Sequence, residues 1–363
     1  MYLKNIAIII ILLSYSIHLH AIDFKKIEEH VNNTPYKSTT STLALSAYLT
    51  NSFENEDEKF AAIYFWVGKN IKYDVKQMTK SRKYFSTKEL INEVLKDKKG
   101  VCQHYSELFN ELSLLAGLKS YVLTGYGKEH GKVMNLAHAW NAIKLDSKWY
   151  FIDVTWGAGY LQNNQFKKDF KIKYFMVTPE KFIQDHIPFD PMWQLLPYPI
   201  KYEEFDKDIK NSIALKEFFY TDTINHFVQL SEIQQYQAKI RRINSNGRKN
   251  NLIINELKQE KSYLKILYKN KAINNLNSGN YHYNEALRQF EKYYEAYKKT
   301  ESSKTYLLAE LKAIEKKLDS AKKYYSQVKT SDREINTKLH EAKTALKNFE
   351  QIIEGQKKKL KEN

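Results

Sequence analysis

All six prolines and all five tryptophans of this 363-residue chain lie before residue 200. No other feature constrains the fold as strongly. Proline interrupts helices, so a stretch of some 160 residues without it is free to form long ones. Glycine thins out as well: beyond residue 205 only Gly247, Gly279 and Gly355 remain, among Lys, Glu, Gln, Asn, Leu, Ile and Tyr. The chain is also too long for one ordinary domain. The break is expected within Pro197–Asp208, giving one domain over residues 22–204 and a second region over residues 205–363. In the latter, Leu311, Ile314, Leu318 and Ala321 recur at three- and four-residue steps, which predicts helices with one apolar face. A helical bundle or coiled-coil-like region follows.

The first part alternates helix and strand signals. Asn55 with Glu58, followed by Phe60, Ile63, Tyr64, Val67 and Ile71, predicts one helix. Ser86 with Glu89 opens a second, carrying Leu90, Val94 and Leu95 and ending at Gly100. A third runs from Cys102 to Ala116, with Tyr105, Leu108, Phe109, Leu112 and Leu115 inward and Gly117 as its stop. Strands are expected at Tyr121–Thr124, His138–Leu145, Trp149–Thr155 and Lys173–Val177. Asp146-Ser147 makes a hairpin of the middle two. Helices layered on an antiparallel sheet give an α+β fold.

The formal charge is +16, about two-thirds of it beyond residue 200. There Lys is mixed with Glu along the predicted helices, the pattern of a solvated helical surface more than of a nucleic-acid-binding patch. An acidic macromolecule or a cell-wall component is the partner such a surface would suit. At the N-terminus, Lys4 precedes an apolar run, Ile6–Ile17, shorter than the ~20 residues of a membrane span. Residues 1–21 read as a signal peptide, and the protein is expected to be secreted or periplasmic, with no transmembrane span in the mature chain. The single cysteine, Cys102, excludes an intrachain disulfide and marks a free thiol in an exported protein.

That thiol sits in Gly100-Val101-Cys102-Gln103-His104-Tyr105, at the start of the third helix. A helix N-terminus favours the thiolate, which is the nucleophile, and a preceding glycine permits a tight turn toward substrate. Most free cysteines are merely small buried hydrophobes. Two further residues favour chemistry here. His138 opens the strand His138-Ala139-Trp140-Asn141, and Asp153 lies on the paired strand in Ile152-Asp153-Val154-Thr155-Trp156. A two-residue turn at Asp146-Ser147 sets Asp153 opposite Trp140. His138 and Trp140 share a face, so Asp153 is diagonal to His138. Such a pair suits a general base and its orienting carboxylate. His104, on another helix face from Cys102, reads as structural, and Trp140 and Trp156 read first as core.

The order Cys, His, Asp, with Gly-x-Cys at a helix start, His-Ala-Trp on one strand and Asp-Val-Thr-Trp on the next, resembles the transglutaminase-like superfamily. The upstream stretch Trp66-Val67-Gly68-Lys69-Asn70-Ile71-Lys72-Tyr73-Asp74 is similar to that family's region before the nucleophile. His186-Ile187-Pro188 and Pro191-Met192-Trp193-Gln194 are similar to a segment found in secreted bacterial members related to kyphoscoliosis-type peptidases. The resemblance covers roughly residues 40–200. It implies a papain-like core, a catalytic triad of Cys102, His138 and Asp153, and one oxyanion donor from the Cys102 backbone N–H. Trp66 and Gln103 are candidates for the other donor, and Trp140 is kept as a cleft candidate. No metal or cofactor is implied. The implied chemistry is attack on peptide or glutamine amide bonds through a Cys102 thioester, as a cysteine peptidase or as a protein transglutaminase or deamidase, with a protein or peptide as substrate. The alternative from another class is a non-catalytic binding or adhesion scaffold. An arylamine-acetyltransferase-like enzyme would use the same three residue types, but no coenzyme A site is visible and export disfavours it.

Overall fold

The computed structural model describes residues 21–78, 86–209, 217–299 and 302–362. The expected signal peptide, but for Ala21, lies outside them. The chain divides into two compact units, one of residues 1–189 with 193–199, the other of residues 190–192 with 200–363.

The first unit begins with α1 (Phe24–Asn32), α2 (Thr42–Thr50) and α3 (Glu56–Asn70). Strand β1 (Lys72–Tyr73), helix α4 (Thr87–Asp97) and strand β2 (Lys99–Gly100) follow, then α5 (Cys102–Leu115). Ser86 caps α4 through a hydrogen bond from the Glu89 N–H. Next come β3 (Ser120–Glu129), β4 (Lys132–Val133), β5 (His138–Leu145), β6 (Lys148–Ile152) and the short α6 (Val154–Ala158). The unit closes with β7 (Gly159–Gln162), β8 (Gln165–Lys168), α7 (Pro179–Phe182) and β9 (His186–Pro188). One antiparallel sheet runs β6-β5-β3; β9 pairs with β3 at Gly125–Gly127, and β4 pairs with its last two residues, Lys128 and Glu129. Helix α5 packs on β5 and β3. Phe60, Tyr64, Trp66, Tyr105, Phe109, Ile143 and Ile152 belong to one buried cluster, so the helical layer and the sheet share a core.

Two strand expectations need correction. The strand predicted over Trp149–Thr155 ends at Ile152, because Asp153 caps α6: its Oδ1 accepts the Trp156 N–H at 3.0 Å. Instead of a ladder at Lys173–Val177 there is a 3₁₀ turn, Ile172–Tyr174, and a single bridge from Val177 to Phe151. Met176 has φ 52°, which breaks the extended run between them.

The second unit is helical: α8 (Tyr202–Asp206), α9 (Tyr220–Phe227), α10 (Glu232–Ser245), α11 (Asn251–Tyr297), α12 (Lys304–Ser326) and α13 (Arg333–Glu362). The stripe expected on α12 is buried: Leu311, Ile314, Leu318 and Ala321 are at most 1% exposed. Gly279 of α11 brings that helix against Tyr325, whose hydroxyl donates to Asn280 Oδ1 at 2.7 Å. Residues 190–192 join this unit through a two-bond contact from Arg242 to the Asp190 carboxylate, at 2.7 and 2.6 Å. Among the described residues no helix is long and apolar enough to cross a membrane.

Candidate active site

Cys102 is the first residue of α5 and is partly exposed. Several bonds fix where that helix begins. The Tyr105 hydroxyl donates to the Ile71 carbonyl at 2.8 Å, tying α5 to the end of α3. One turn beyond Cys102, the Ser106 carbonyl accepts from Asn141 Nδ2 at 3.1 Å. Asn141 lies on β5 and is fully buried, so the helix carrying the thiol and the strand carrying His138 are held in register with each other. His104 is buried, its Nδ1 accepting the Val101 N–H at 3.3 Å. It therefore serves the helix start, as its position predicts.

Gly100 matters for another reason than the tight turn expected of it. Its φ is not positive, but a Cβ there would lie 2.5 Å from the His104 Cβ and 2.6 Å from its Cγ. Gly100→Ala should push His104 out of a site with no spare room, at a cost of about 1–3 kcal/mol. Urea denaturation of the variant checks this; unchanged stability would show that the close approach is unimportant.

The β5–β6 register is the one the two-residue turn predicts. Leu145 pairs with Lys148 and Asn141 with Ile152, and Asp146 and Ser147 both have positive φ, 45° and 68°. Asp153 therefore follows directly on the strand, diagonal to His138. His138 Nε2 lies 2.6 Å from Asp153 Oδ2. Cys102 is near enough to contribute to the upward shift of the His138 pKa, and with Nε2 engaged by Asp153, Nδ1 is the ring nitrogen left over. His138 is 6% exposed and Asp153 is fully buried. Trp156 lies over the imidazole, ring centres 5.5 Å apart, and Trp140 flanks it at 5.9 Å.

Burial alone would favour neutral forms of both groups. For His138 it is overcome by the Asp153 charge and by hydrogen bonds with Asp153 and Cys102, which raise the imidazolium pKa from 6.5 to about 10. For Asp153 burial also pulls upward, but the His138 charge and hydrogen bonds from His138 and His186 hold the carboxyl well below its ordinary range. Raised for His138 and lowered for Asp153, the two shifts favour the ion-paired form across the neutral range.

Two neighbours escaped the sequence reading as site residues. His186, on β9, is fully buried, and its Nε2 lies 3.1 Å from Asp153 Oδ2. Tyr73, on β1, pairs with Gly100, two residues from the thiol. Its phenol is pushed upward by burial and then by the charges of Cys102 and Asp153, so it stays protonated beside them. The available signals were the stretches around both residues, which carried a resemblance but no assigned role. Of the oxyanion and cleft candidates, Trp66 and Trp140 are core residues, 1% and 0% exposed, and offer no ring face to a ligand. Gln103 is exposed, one residue beyond the thiol. His138, Asp153 and His186 could in principle ligate a metal, since one donor atom of each lies within 4.8 Å of the others. Their 2.6 and 3.1 Å separations are hydrogen-bond lengths.

Residues 43–154, which include Cys102, His138 and Asp153, match the family model described as the transglutaminase-like superfamily. This region belongs to the transglutaminase-like superfamily. A protein described as kyphoscoliosis peptidase from Mus musculus is 30% identical over 206 residues, covering 54% of this chain and 30% of the relative. The Homo sapiens protein of the same description is 28% identical over 233 residues, covering 62% and 34%. The chain thus spans about a third of the length of these curated relatives. A solved structure titled as a TGase is 20% identical with a TM-score of 0.26, covering 45% of this chain and 40% of that one. The transglutaminase-like region ends one residue after Asp153, so His186 and the second unit both lie beyond it.

Proposed function

We propose that the first unit is a thiol acyl-transfer enzyme acting on peptide or glutamine amide bonds. The observation that carries this reading is the buried His138–Asp153 pair, 2.6 Å apart, in the same unit as Cys102 at a helix start. The thiolate adds to the amide carbonyl, and His138 passes its proton to the departing nitrogen. The C–N bond breaks to leave an acyl-thioester on Cys102. Water then resolves the thioester in hydrolysis or deamidation, and an amine resolves it in crosslinking. Hydrolysis is the preferred outcome, because water is always available to the intermediate. Secretion or periplasmic export belongs to the same proposal, on the strength of the Lys4 and Ile6–Ile17 pattern. So does docking of the basic helical region to an acidic macromolecule or cell-wall component.

The test is chemical. Cys102 should be alkylated by iodoacetamide at pH 6.5 at least tenfold faster than glutathione, and His138→Ala should remove the advantage. With casein as substrate, new amino termini mark hydrolysis and incorporation of dansylcadaverine marks amine transfer. A cysteine inert below pH 8 would leave the binding-scaffold reading in its place.

A further inference from the structure

Resting on the thiol-enzyme reading, we propose that His186 is a positioning residue for that reaction, holding the Asp153 carboxylate in the orientation that His138 requires. The carboxylate is held at three points. Oδ1 accepts the Trp156 N–H at 3.0 Å, while Oδ2 faces His138 Nε2 at 2.6 Å and His186 Nε2 at 3.1 Å. The His186 N–H thus meets the same oxygen that orients the catalytic imidazole. Without it, Oδ2 would keep His138 as its one side-chain donor among the described residues, and rotation about the Asp153 side chain would carry His138 with it.

His186 is itself immobilised. Its Nδ1 lies 2.6 Å from Asp185 Oδ1. Its ring stacks on Phe182 with centres 4.1 Å apart and an interplanar angle of 20°, and Trp156 lies 4.2 Å away. Its backbone pairs with Gly127 on β3. The same strand pairs Gly125 with both His138 and Pro188, so β5 and β9 are gathered to either side of it. Gly125 has no room for a side chain: a Cβ would meet the Ile187 carbonyl at 2.1 Å and the Trp140 ring at 2.4 Å. A fully buried imidazole with each nitrogen facing a carboxylate does more than fill space, since phenylalanine would pack in the same aromatic cage without needing partners.

Iodoacetamide labelling of Cys102, followed against pH in the full-length protein, tests this without a known substrate. His186→Phe keeps the ring's shape and removes both ring nitrogens, and labelling at pH 6.5 should fall about tenfold. His186→Gln keeps an N–H toward Asp153 and should stay within about threefold of the parent. Melting temperatures identify any variant that is not folded. The inference is overturned if folded His186→Phe labels at the parental rate, or if the Phe and Gln variants lose equally, since shape and not donation would then be the cause. If His186→Phe does not fold, Asp185→Ala decides. Asp185 is one-third exposed, and its loss loosens the His186 ring from outside the core. Slower labelling supports the inference and an unchanged profile overturns it. A parent protein whose thiol is inert below pH 8 sinks the thiol-enzyme reading itself, a result distinct from any difference among these variants.

Discussion

Cys102→Ala is expected to abolish all amide-directed activity while leaving the fold intact. Cys102 is the only cysteine in the chain, so no disulfide is lost with it. Its side chain is partly exposed at the first position of α5, where alanine is well tolerated. The bonds that fix this helix start, from Tyr105 to Ile71 and from Asn141 to Ser106, do not involve the sulfur. The loss should therefore appear in turnover and not in the circular dichroism spectrum or melting temperature. In a triad of this kind the nucleophile and base act as one unit, and removing either costs on the order of 10⁶-fold in rate. Full activity in the variant would end the thiol mechanism. Activity lost together with the fold would show that Cys102 is a packing residue.

Asp153→Asn is the second large effect, expected in both rate and stability. The amide keeps the shape of the carboxylate but cannot accept at full strength from two imidazoles and a backbone N–H. His138 then loses its orientation toward Cys102, and turnover should fall about 10²–10⁴-fold. Stability should fall as well, because breaking a buried ion pair costs about 3 kcal/mol or more. The pH dependence of that loss has a definite sign. The His138 pKa is raised from 6.5 to about 10, so its stabilising contribution is complete below about pH 6.5 and disappears as pH rises through about 10. The Asp153 pKa is depressed from 3.8, so its contribution is complete above that value and disappears only in stronger acid. The stability gap between parent and variant should therefore be widest between about pH 4 and 6.5 and should narrow toward pH 10. Urea midpoints across this range measure it. A gap that widens in alkali would mean that His138 is not the charged partner.

Much of this site could be read from sequence because its geometry is local. Fifteen residues separate His138 from Asp153, with one two-residue turn between them, and the period of two along each strand then places both on one face. The helix start at Cys102 was visible because the apolar stripe behind it has a helical period and Gly117 ends it. Composition alone placed the expected break near residue 200, since proline and tryptophan stop there.

The rest depends on contacts between distant segments. β9 is three residues long, too short for any period, and it pairs with β3 across some 60 residues of chain, so nothing local revealed that His186 would share Asp153 with His138. The detour of residues 190–192 into the helical unit rests on the salt bridge from Arg242, about 50 residues away, which composition does not register. Trp66 and Trp140 were cleft candidates from their neighbours in sequence, but burial is settled by everything packed around them. Asp153 is an intermediate case. Its role as the cap of α6 has a local signature, an aspartate followed three residues later by the Trp156 N–H that it accepts, yet the continuing run of β-favouring residues outweighed that signal. Local periodicity thus accounts for the elements and the His138–Asp153 pair, while long-range packing chose which buried groups surround that pair.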